Sequence, residues 1–260
     1  MIRNEKDQLC WYEFEAFLTL PVKHGIFTRH GGVSTGHLTS LNMGGTVGDE
    51  PHNPRLNQDR MLTALGLPTD RVFDVWQVHS ADAIVAKESR PLNTEHEKAD
   101  IIVTGARDVT LVMRFADCVP LMVYDPVLHA AGIAHAGWIG TGKNVAGALI
   151  RAMRDNFGSD PTQLIAGIGP SICRGHYPVG EEVVEIFSRQ FADQMDEIVF
   201  TSQGKPHLDL WRANQIQLQN AGVHQIEIAG ICTACHTEDW YSYRGEKGRT
   251  GRFGAAIQLI

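Results

Sequence analysis

The chain has 260 residues, enough for one mixed α/β domain whose core does not depend on disulfides. Its 23 Lys and Arg residues against 30 Asp and Glu residues give a net charge of −7, which argues against a protein that binds nucleic acid or an anionic membrane. No apolar run reaches the roughly 18 residues of a spanning helix, and the polar N-terminal residues lack a secretion signal. We therefore expect a cytoplasmic protein with reduced cysteines.

The N-terminal part of the chain combines short strand-like runs with a long polar loop. Glycine-punctuated sequence continues from the second strand to about residue 50, and a loop of this length is usually functional or mobile. The next segment has the helix-start pattern of Asn53 followed by Pro54. The predicted elements are strands at 9–20, 26–28, 72–78 and 83–86 and a helix from Asn53 to Leu65.

The C-terminal part contains four consecutive strand-like runs and the strongest helix pattern. Apolar residues recur every four positions from Val145 to Phe157, and Gly158 follows. Because strands cluster instead of alternating strictly with helices, we predict an α+β fold with mixed sheets, and we expect one domain over residues 1–260. The predicted elements are strands at 101–104, 111–115, 121–124, 130–136, 164–168, 226–231 and 255–259 and helices at 141–157, 181–191 and 210–220.

Three separate segments carry His79, Cys118 and His135. Their separations of 39 and 17 positions are too long for a zinc finger, but catalytic zinc sites use three protein ligands and keep one position for water. Spacing alone also permits a buried thiol and two ordinary histidines. A third interpretation is a nucleophile and base, with Cys118 activated by His135.

The glycine-rich segment from Gly137 to Asn144 nearly matches a P-loop and lies between a strand and a helix. Asn144 replaces the Ser or Thr that would hold magnesium, so nucleotide hydrolysis is a minor hypothesis. Backbone N–H groups around Gly140 and Gly142 could still bind a phosphate, although a tight turn explains the glycines equally well. Arginine forks suit phosphate, and we expect one or two ligand contacts among Arg29, Arg114, Arg244, Arg249 and Arg252.

Near the C-terminus, Cys232-x-x-Cys235-His236 matches a haem attachment motif, which would require export. It also matches half of a four-cysteine zinc site, but no second Cys-x-x-Cys pair exists, so we interpret it as coincidental, with one cysteine facing the site at most. His236-x-Glu238 lacks the remainder of the deaminase signature. No His-x-His pair occurs, which argues against a multicopper cluster.

Short stretches along nearly the whole chain together resemble the YfiH, or laccase-domain, family. They are Phe27–Ser34, Ser40–Asn42, Val47–Asp49, Gln77–His79, Ala116–Leu121, Ala134–Trp138, Gly167–Pro170, Ile231–Thr233, Tyr241–Arg244 and Gly248–Arg252. The resemblance implies a single α+β domain with mixed β-sheets packed together and flanked by helices, in α/β/β/α layers. It also implies that His79, Cys118 and His135 bind zinc, with copper the weaker alternative.

Members of this family are described as purine nucleoside phosphorylases that also deaminate adenosine and cleave methylthioadenosine; older names call them polyphenol oxidases. Some are implicated in editing peptidoglycan precursors, and a likeness to cysteine hydrolases has been noted. The expected partners are therefore a nucleoside and phosphate, and the oligomeric state stays open. The family usually has Arg after the Trp of its His-Ala-Gly-Trp segment. Ile139 stands there, which would weaken activity if that Arg contacts phosphate.

The resulting hypothesis is metal-assisted chemistry on a purine nucleoside. Zinc would lower the pKa of bound water toward about 7, producing hydroxide for attack at C6 of adenosine. For phosphorolysis, phosphate would attack C1′ of the ribose. The residues expected to bind substrate or phosphate are Arg29, Asn42, Gly140, Gly142 and Arg244.

Two further residues are expected to assist, Asp117 by orienting a ligand or moving a proton and His30 as a second proton-transfer group. The first alternative is a cysteine hydrolase or amidase that uses Cys118 and His135 as a dyad, with peptidoglycan precursors as candidate substrates. The second alternative is a non-catalytic binding protein that zinc only stabilises.

Overall fold

The computed structural model describes residues 1–92 and 94–260. Sheet 1 has six strands in the order β1-β2-β3-β14-β7-β4, and sheet 2 has six in the order β13-β10-β8-β9-β6-β5. The strands are β1 Ile2–Lys6, β2 Leu9–Glu13, β3 Val22–Phe27, β4 Val72–Phe73, β5 Ala83–Val85, β6 Ile101–Thr104, β7 Thr110–Phe115, β8 Val119–Asp125, β9 Ala130–Ala136, β10 Ile165–Ile168, β11 Val199–Ser202, β12 Lys205–Leu208, β13 Gln225–Ile228 and β14 Phe253–Leu259. The helices are α1 Asn53–Ala64, α2 Trp138–Gly142, α3 Val145–Phe157, α4 Glu181–Gln190, α5 Met195–Ile198 and α6 Leu210–Asn220.

Both sheets are mixed, and they pack face to face. Alternate residues of β7 point to opposite sides: Leu111 and Met113 belong to the core between the sheets, and Val112 belongs to the core beneath α1. The outer face of sheet 2 packs against α3, α4 and α6. Because these central strands are buried on both faces, they read as continuous apolar runs in the sequence. The fold class, mixed sheets packed together and flanked by helices, is confirmed.

The structure differs from the predicted elements where the backbone changes direction. The helix expected at 141–157 is two helices, because Asn144 has a left-handed φ of 60° and its side chain caps α3 by accepting from the Gly147 N–H. The strand expected at 72–78 ends at Phe73. Three further features were not predicted: the polar edge strand β1, the short helix α5 and the hairpin of β11 and β12.

Buried polar side chains order the long loop between β3 and α1. Asn57 on α1 accepts the Val33 N–H and donates to the Ser34 hydroxyl and the Asn42 carbonyl. Asp49 closes the same network by accepting from Ser34 and Asn42. Hydrogen bonding therefore replaces a regular element in holding this segment on sheet 1. Within the described residues, no helix is both long and apolar enough to cross a bilayer.

Candidate active site

The three sequence-predicted metal ligands meet at one edge of sheet 2. Cys118 immediately precedes β8, and His135 lies near the end of the antiparallel neighbour β9, with Pro120 opposite His135 in the register. His79 comes from the loop between β4 and β5 and has a φ of 60°. The donor atoms of these three side chains lie within 4.8 Å of one another. Strand pairing therefore brings together residues that are distant in the sequence.

The buried carboxylate of Asp100 holds two of these donors. Its Oδ1 lies 2.8 Å from His135 Nδ1, and its Oδ2 accepts the N–H groups of Val78 and Ser80 on either side of His79. Because a carboxylate only accepts, Nδ1 of His135 carries a proton, so Nε2 is the nitrogen that can bind a metal once it is deprotonated. Carboxylates that orient histidines in this way are typical of metal sites.

The charges of Cys118 and His135 stabilise each other. Burial alone would raise the pKa of the Cys118 thiol, but His135 and His79 outweigh burial and lower that pKa to about 6. Burial lowers the pKa of His135, whereas the thiolate and Asp100 raise it, for a net increase to about 9. The pair therefore favours a thiolate, the form of cysteine that binds metals and acts as a nucleophile.

Close packing around the thiol requires glycine at position 137. A Cβ atom added to Gly137 would lie 2.7 Å from Cys118 Sγ and 3.3 Å from His79 Cδ2. Any larger side chain would therefore push on the donor atoms themselves. This requirement explains why a glycine follows the His135 segment directly, independently of any phosphate loop.

A cavity of about 900 Å³ lies beside the three donors. Its volume lies within the range of small-molecule sites. Aromatic rings line it, and Trp76 and Tyr243 are about half exposed at 49 % and 53 %. The wall thus offers flat apolar surfaces to a planar ligand next to the donors.

One wall of the cavity contains a buried carboxylate that pairs with several cationic side chains. Asp74 is buried and pairs with Arg90 at 2.8 Å, Arg114 at 2.6 Å and His96 at 3.2 Å. Burial acts to raise the pKa of Asp74, but His96 and Arg114 hold it well below its usual range. Arg114 is held by Asp74 and by the Met43 carbonyl, so it contributes to the structure of this wall.

Two other arginines line the cavity without a carboxylate partner among the described residues. Arg252 donates to the carbonyls of Thr250 and Gly251, and Arg244 donates to the carbonyl of Pro178. Burial lowers the pKa of Arg252, and Cys118 and Asp117 act in the opposite direction. Arg252 is therefore an incompletely compensated cation close to the thiolate.

Two predicted site residues position these arginines through the backbone. Asp117 accepts hydrogen bonds from Thr233, Ser242 and the Arg244 N–H. Asn42 is fully buried, and its Oδ1 accepts the Arg252 N–H at 2.9 Å. Asp117 also lines the cavity, but the described hydrogen bonds of its side chain go to the loop between β13 and β14 and to none of the three metal-ligand candidates.

Other predicted contacts lie away from the cavity. Arg29 pairs with Glu246 at 3.0 Å and donates to the carbonyls of Thr39 and Thr237, so its charge is compensated. His30 binds Asp239 at 2.7 Å. Gly140 and Gly142 lie within α2, where Gly142 packs toward Ile186. The residues that line the cavity include none of these, nor Ile139.

The structure adds one residue that sequence reasoning did not select, Asp100, and changes the interpretation of three others, Arg252, Cys232 and Cys235. Asp100 follows a charged segment and gave no motif, and Arg252 was only one of several candidate arginines. Cys232 and Cys235, interpreted as coincidental, lie with Cys173 and His176 in a second group whose donor atoms are within 4.8 Å of one another. The sequence pattern that could have indicated this group is Cys173-x-x-His176, which has the same spacing as Cys232-x-x-Cys235.

This four-layer fold and its donor set agree with the family resemblance seen in the sequence. The chain belongs to the family described as multi-copper polyphenol oxidoreductase laccase, whose sequence model matches residues 23–260. A relative from Deinococcus radiodurans named purine nucleoside phosphorylase is 36 % identical over 240 residues, covering 92 % of this chain and 90 % of that protein. Purine nucleoside phosphorylase YlmD from Geobacillus stearothermophilus is 35 % identical, covering 90 % and 88 %.

Solved structures give the same family. The crystal structure of YlmD from Geobacillus stearothermophilus superposes with a TM-score of 0.92 at 30 % identity and covers 98 % of this chain and 97 % of that chain. A hypothetical protein YfiH from Bacillus licheniformis superposes with a TM-score of 0.91 at 28 % identity, covering 98 % of both chains. The predicted YfiH or laccase-domain membership is thereby confirmed.

Proposed function

We propose that this chain is an enzyme that cleaves purine nucleosides with phosphate, and that its metal is zinc held by His79, Cys118 and His135. The observation that carries the proposal is the convergence of these donors on a cavity of about 900 Å³ that also contains Arg252. The names of the relatives, purine nucleoside phosphorylases, support a nucleoside as the substrate.

The donor chemistry suits zinc. Two imidazoles and one thiolate match a catalytic zinc set that keeps a further position for water or substrate. When bound, zinc acts as a Lewis acid and lowers the pKa of a water ligand to about 7. A His₂Cys set also binds copper in electron-transfer proteins, so both metals must be measured. Asp100 fixes the tautomer of His135 that any metal requires.

The other side chains of the cavity suit the two substrates. Arg252 and Arg244 would meet the negative charge of phosphate, because neither has a carboxylate partner among the described residues. Trp76 and Tyr243 present exposed rings on which a purine base can stack. During phosphorolysis, a phosphate oxygen forms a bond to C1′ of the ribose while the bond from C1′ to the purine nitrogen breaks.

We propose adenosine deamination, with water consumed and ammonia released, as a second reaction in the same cavity. Its support is the family resemblance. Cys118 must stay reduced in either reaction. The proposed cytoplasmic location suits this requirement, because the cytosol keeps thiols reduced.

The test combines metal analysis with product analysis. Purified protein is analysed for zinc and copper and is then incubated with adenosine, with and without inorganic phosphate. We expect adenine and ribose 1-phosphate only with phosphate, inosine in either buffer, and neither product after chelation. Cys118→Ala should lose about one metal ion per chain and at least about 10³-fold in turnover, since a metal ligand is removed. A Cys10→Ser control alters a thiol of β2 and should retain both.

A cysteine hydrolase is the competing function. The contacts between Cys118, His135 and Asp100 favour it, because a nucleophile, a base and a carboxylate that orients the base follow one another. It predicts amide or ester hydrolysis that survives chelation and stops when Cys118 is alkylated. His79 has no role in such a dyad, which favours the metal. A non-catalytic protein would show no turnover either before or after chelation. Chelation would then only lower its melting temperature.

A further inference from the structure

Four side chains outside the candidate active site form a second group of soft donors. Cys173 and His176 lie in the loop after β10, and Cys232 and Cys235 lie in the loop after β13. Because β10 and β13 are parallel neighbours, both loops leave sheet 2 from the same end. An isolated bridge between Ser171 and Cys232 keeps the loops side by side.

The distances match a tetrahedral metal site. His176 Nδ1 lies 3.5 Å from the sulfur of Cys173, 3.3 Å from that of Cys235 and 4.0 Å from that of Cys232. Zinc bonds of about 2.3 Å to sulfur and about 2.0–2.1 Å to nitrogen place tetrahedral S and N ligands about 3.5 Å apart. The ligands come in two close pairs, Cys-x-x-His and Cys-x-x-Cys, the spacing typical of structural zinc sites.

A backbone N–H also points at one of the sulfurs. The Cys173 N–H donates to Cys232 Sγ at 3.2 Å, a hydrogen bond that stabilises negative charge on the sulfur. With three sulfurs and one imidazole, the set prefers zinc or iron over magnesium or calcium. None of the four residues lines the cavity of about 900 Å³, so a closed four-ligand site is geometrically distinct from the candidate active site.

We propose that Cys173, His176, Cys232 and Cys235 bind a structural zinc ion, in addition to the metal proposed at His79, Cys118 and His135. The ion joins the two loops that support one wall of the cavity. Thr233, between two of the ligands, donates to Asp117, and Tyr177, directly after His176, lines the cavity with the Arg244 guanidinium 4.9 Å from its ring centroid. The proposal does not depend on the proposed reaction.

Metal stoichiometry tests the proposal without any assay of activity. Native mass spectrometry and elemental analysis should find about two zinc ions per chain in the wild type, about one in Cys118→Ala, about one in Cys235→Ser and none in the double variant. Cys235 is exposed, so its replacement leaves the core intact. Cys10→Ser is the matched control and should keep about two ions.

A cobalt experiment tests the second site with its four ligands intact, so the result does not depend on whether Cys235→Ser folds. Cobalt-loaded Cys118→Ala should show the strong thiolate-to-cobalt charge-transfer bands of a site with several sulfurs. The proposal is overturned if Cys118→Ala binds no metal, if Cys235→Ser keeps the wild-type stoichiometry, if the bound metal is iron, or if denatured mass spectrometry shows a disulfide among these cysteines. None of these results depends on nucleoside turnover, so this proposal and the proposed function can fail separately.

Discussion

Two arginines illustrate how surroundings decide the role of a residue. Arg29 lies beside a glycine-rich loop and was predicted to bind phosphate, but Glu246 and two carbonyls occupy its guanidinium. Arg252 lies in the cavity with carbonyl partners only, among the residues described. Arg29, whose charge is compensated, therefore stabilises the loop between β3 and α1, and Arg252 is available to bind an anion.

We predict that Arg252→Met weakens phosphate binding and that Arg29→Met does not. Loss of a charged hydrogen bond of about 1.5–3 kcal/mol corresponds to an increase of about tenfold to a hundredfold in the Kd for phosphate. Titration calorimetry with inorganic phosphate measures this directly, and the KM for phosphate should change in parallel. Arg29→Met should instead lower the melting temperature. The reverse pattern would return the phosphate site to Arg29.

Among the secondary-structure elements, β3 contains a buried histidine that makes stability depend on pH. Nε2 of His24 accepts the Phe14 N–H at 2.7 Å, and its ring packs against Phe14 and Phe17. Burial, opposed weakly by Glu227, lowers the pKa of His24 to about 4. The folded protein therefore needs the neutral ring, whereas the unfolded chain takes up a proton below about pH 6.5.

We predict that, because of His24, the free energy of unfolding falls by about 2 kcal/mol when the pH is lowered from about 7 to about 5. The folded-state pKa is depressed, so its contribution is complete above the unfolded pKa and is lost as the pH falls toward about 4. Urea denaturation at the two pH values measures the loss. His24→Gln should remove that part of the slope, and the exposed His52→Gln should leave it unchanged. An unchanged slope in His24→Gln would assign the pH dependence to other groups.

Element prediction succeeded where the pattern is local. The strands at 101–104 and 130–136 and the helix at 210–220 have the predicted bounds, because buried apolar runs and an N-cap determine them. The break between α2 and α3 was missed, because the spacing of apolar residues does not reveal that the backbone of Asn144 adopts a left-handed conformation. The positions of Cys118 and His135 at strand ends were predictable. Asp100 was not, and neither was the contact of Asn42 with Arg252, because the contacts from Asp100 to His135 and from Asn42 to Arg252 span 35 and 210 positions.

For the whole molecule, the contact between the two sheets is close enough to couple them. A Cβ atom on Gly167 of β10 would lie 2.4 Å from the ring of Phe14, which follows β2. Phe14 belongs to the core that both sheets share. We therefore expect the sheets to unfold together, as a single domain over residues 1–260 would.

We predict that Gly167→Ala destabilises the protein by about 1–3 kcal/mol, because overpacking displaces the Phe14 ring. Circular dichroism and tryptophan fluorescence in urea should shift by the same amount in one transition. Gly45→Ala is the matched control, since an added Cβ there meets no atom within 4 Å. Two separate transitions, or a shift in one probe alone, would contradict the single domain.

The position of β14 has a consequence for biosynthesis. This strand comes last in chain order, yet it lies between β3 and β7 in the interior of sheet 1 and pairs with both. A nascent chain that has not yet released β14 from the ribosome exposes the edges of β3 and β7, which invite non-native pairing. Arg252, directly before β14, is delivered to the cavity by the same late step. Sheet 1 and the candidate anion site are therefore completed together, only after residues 252–259 have left the ribosome.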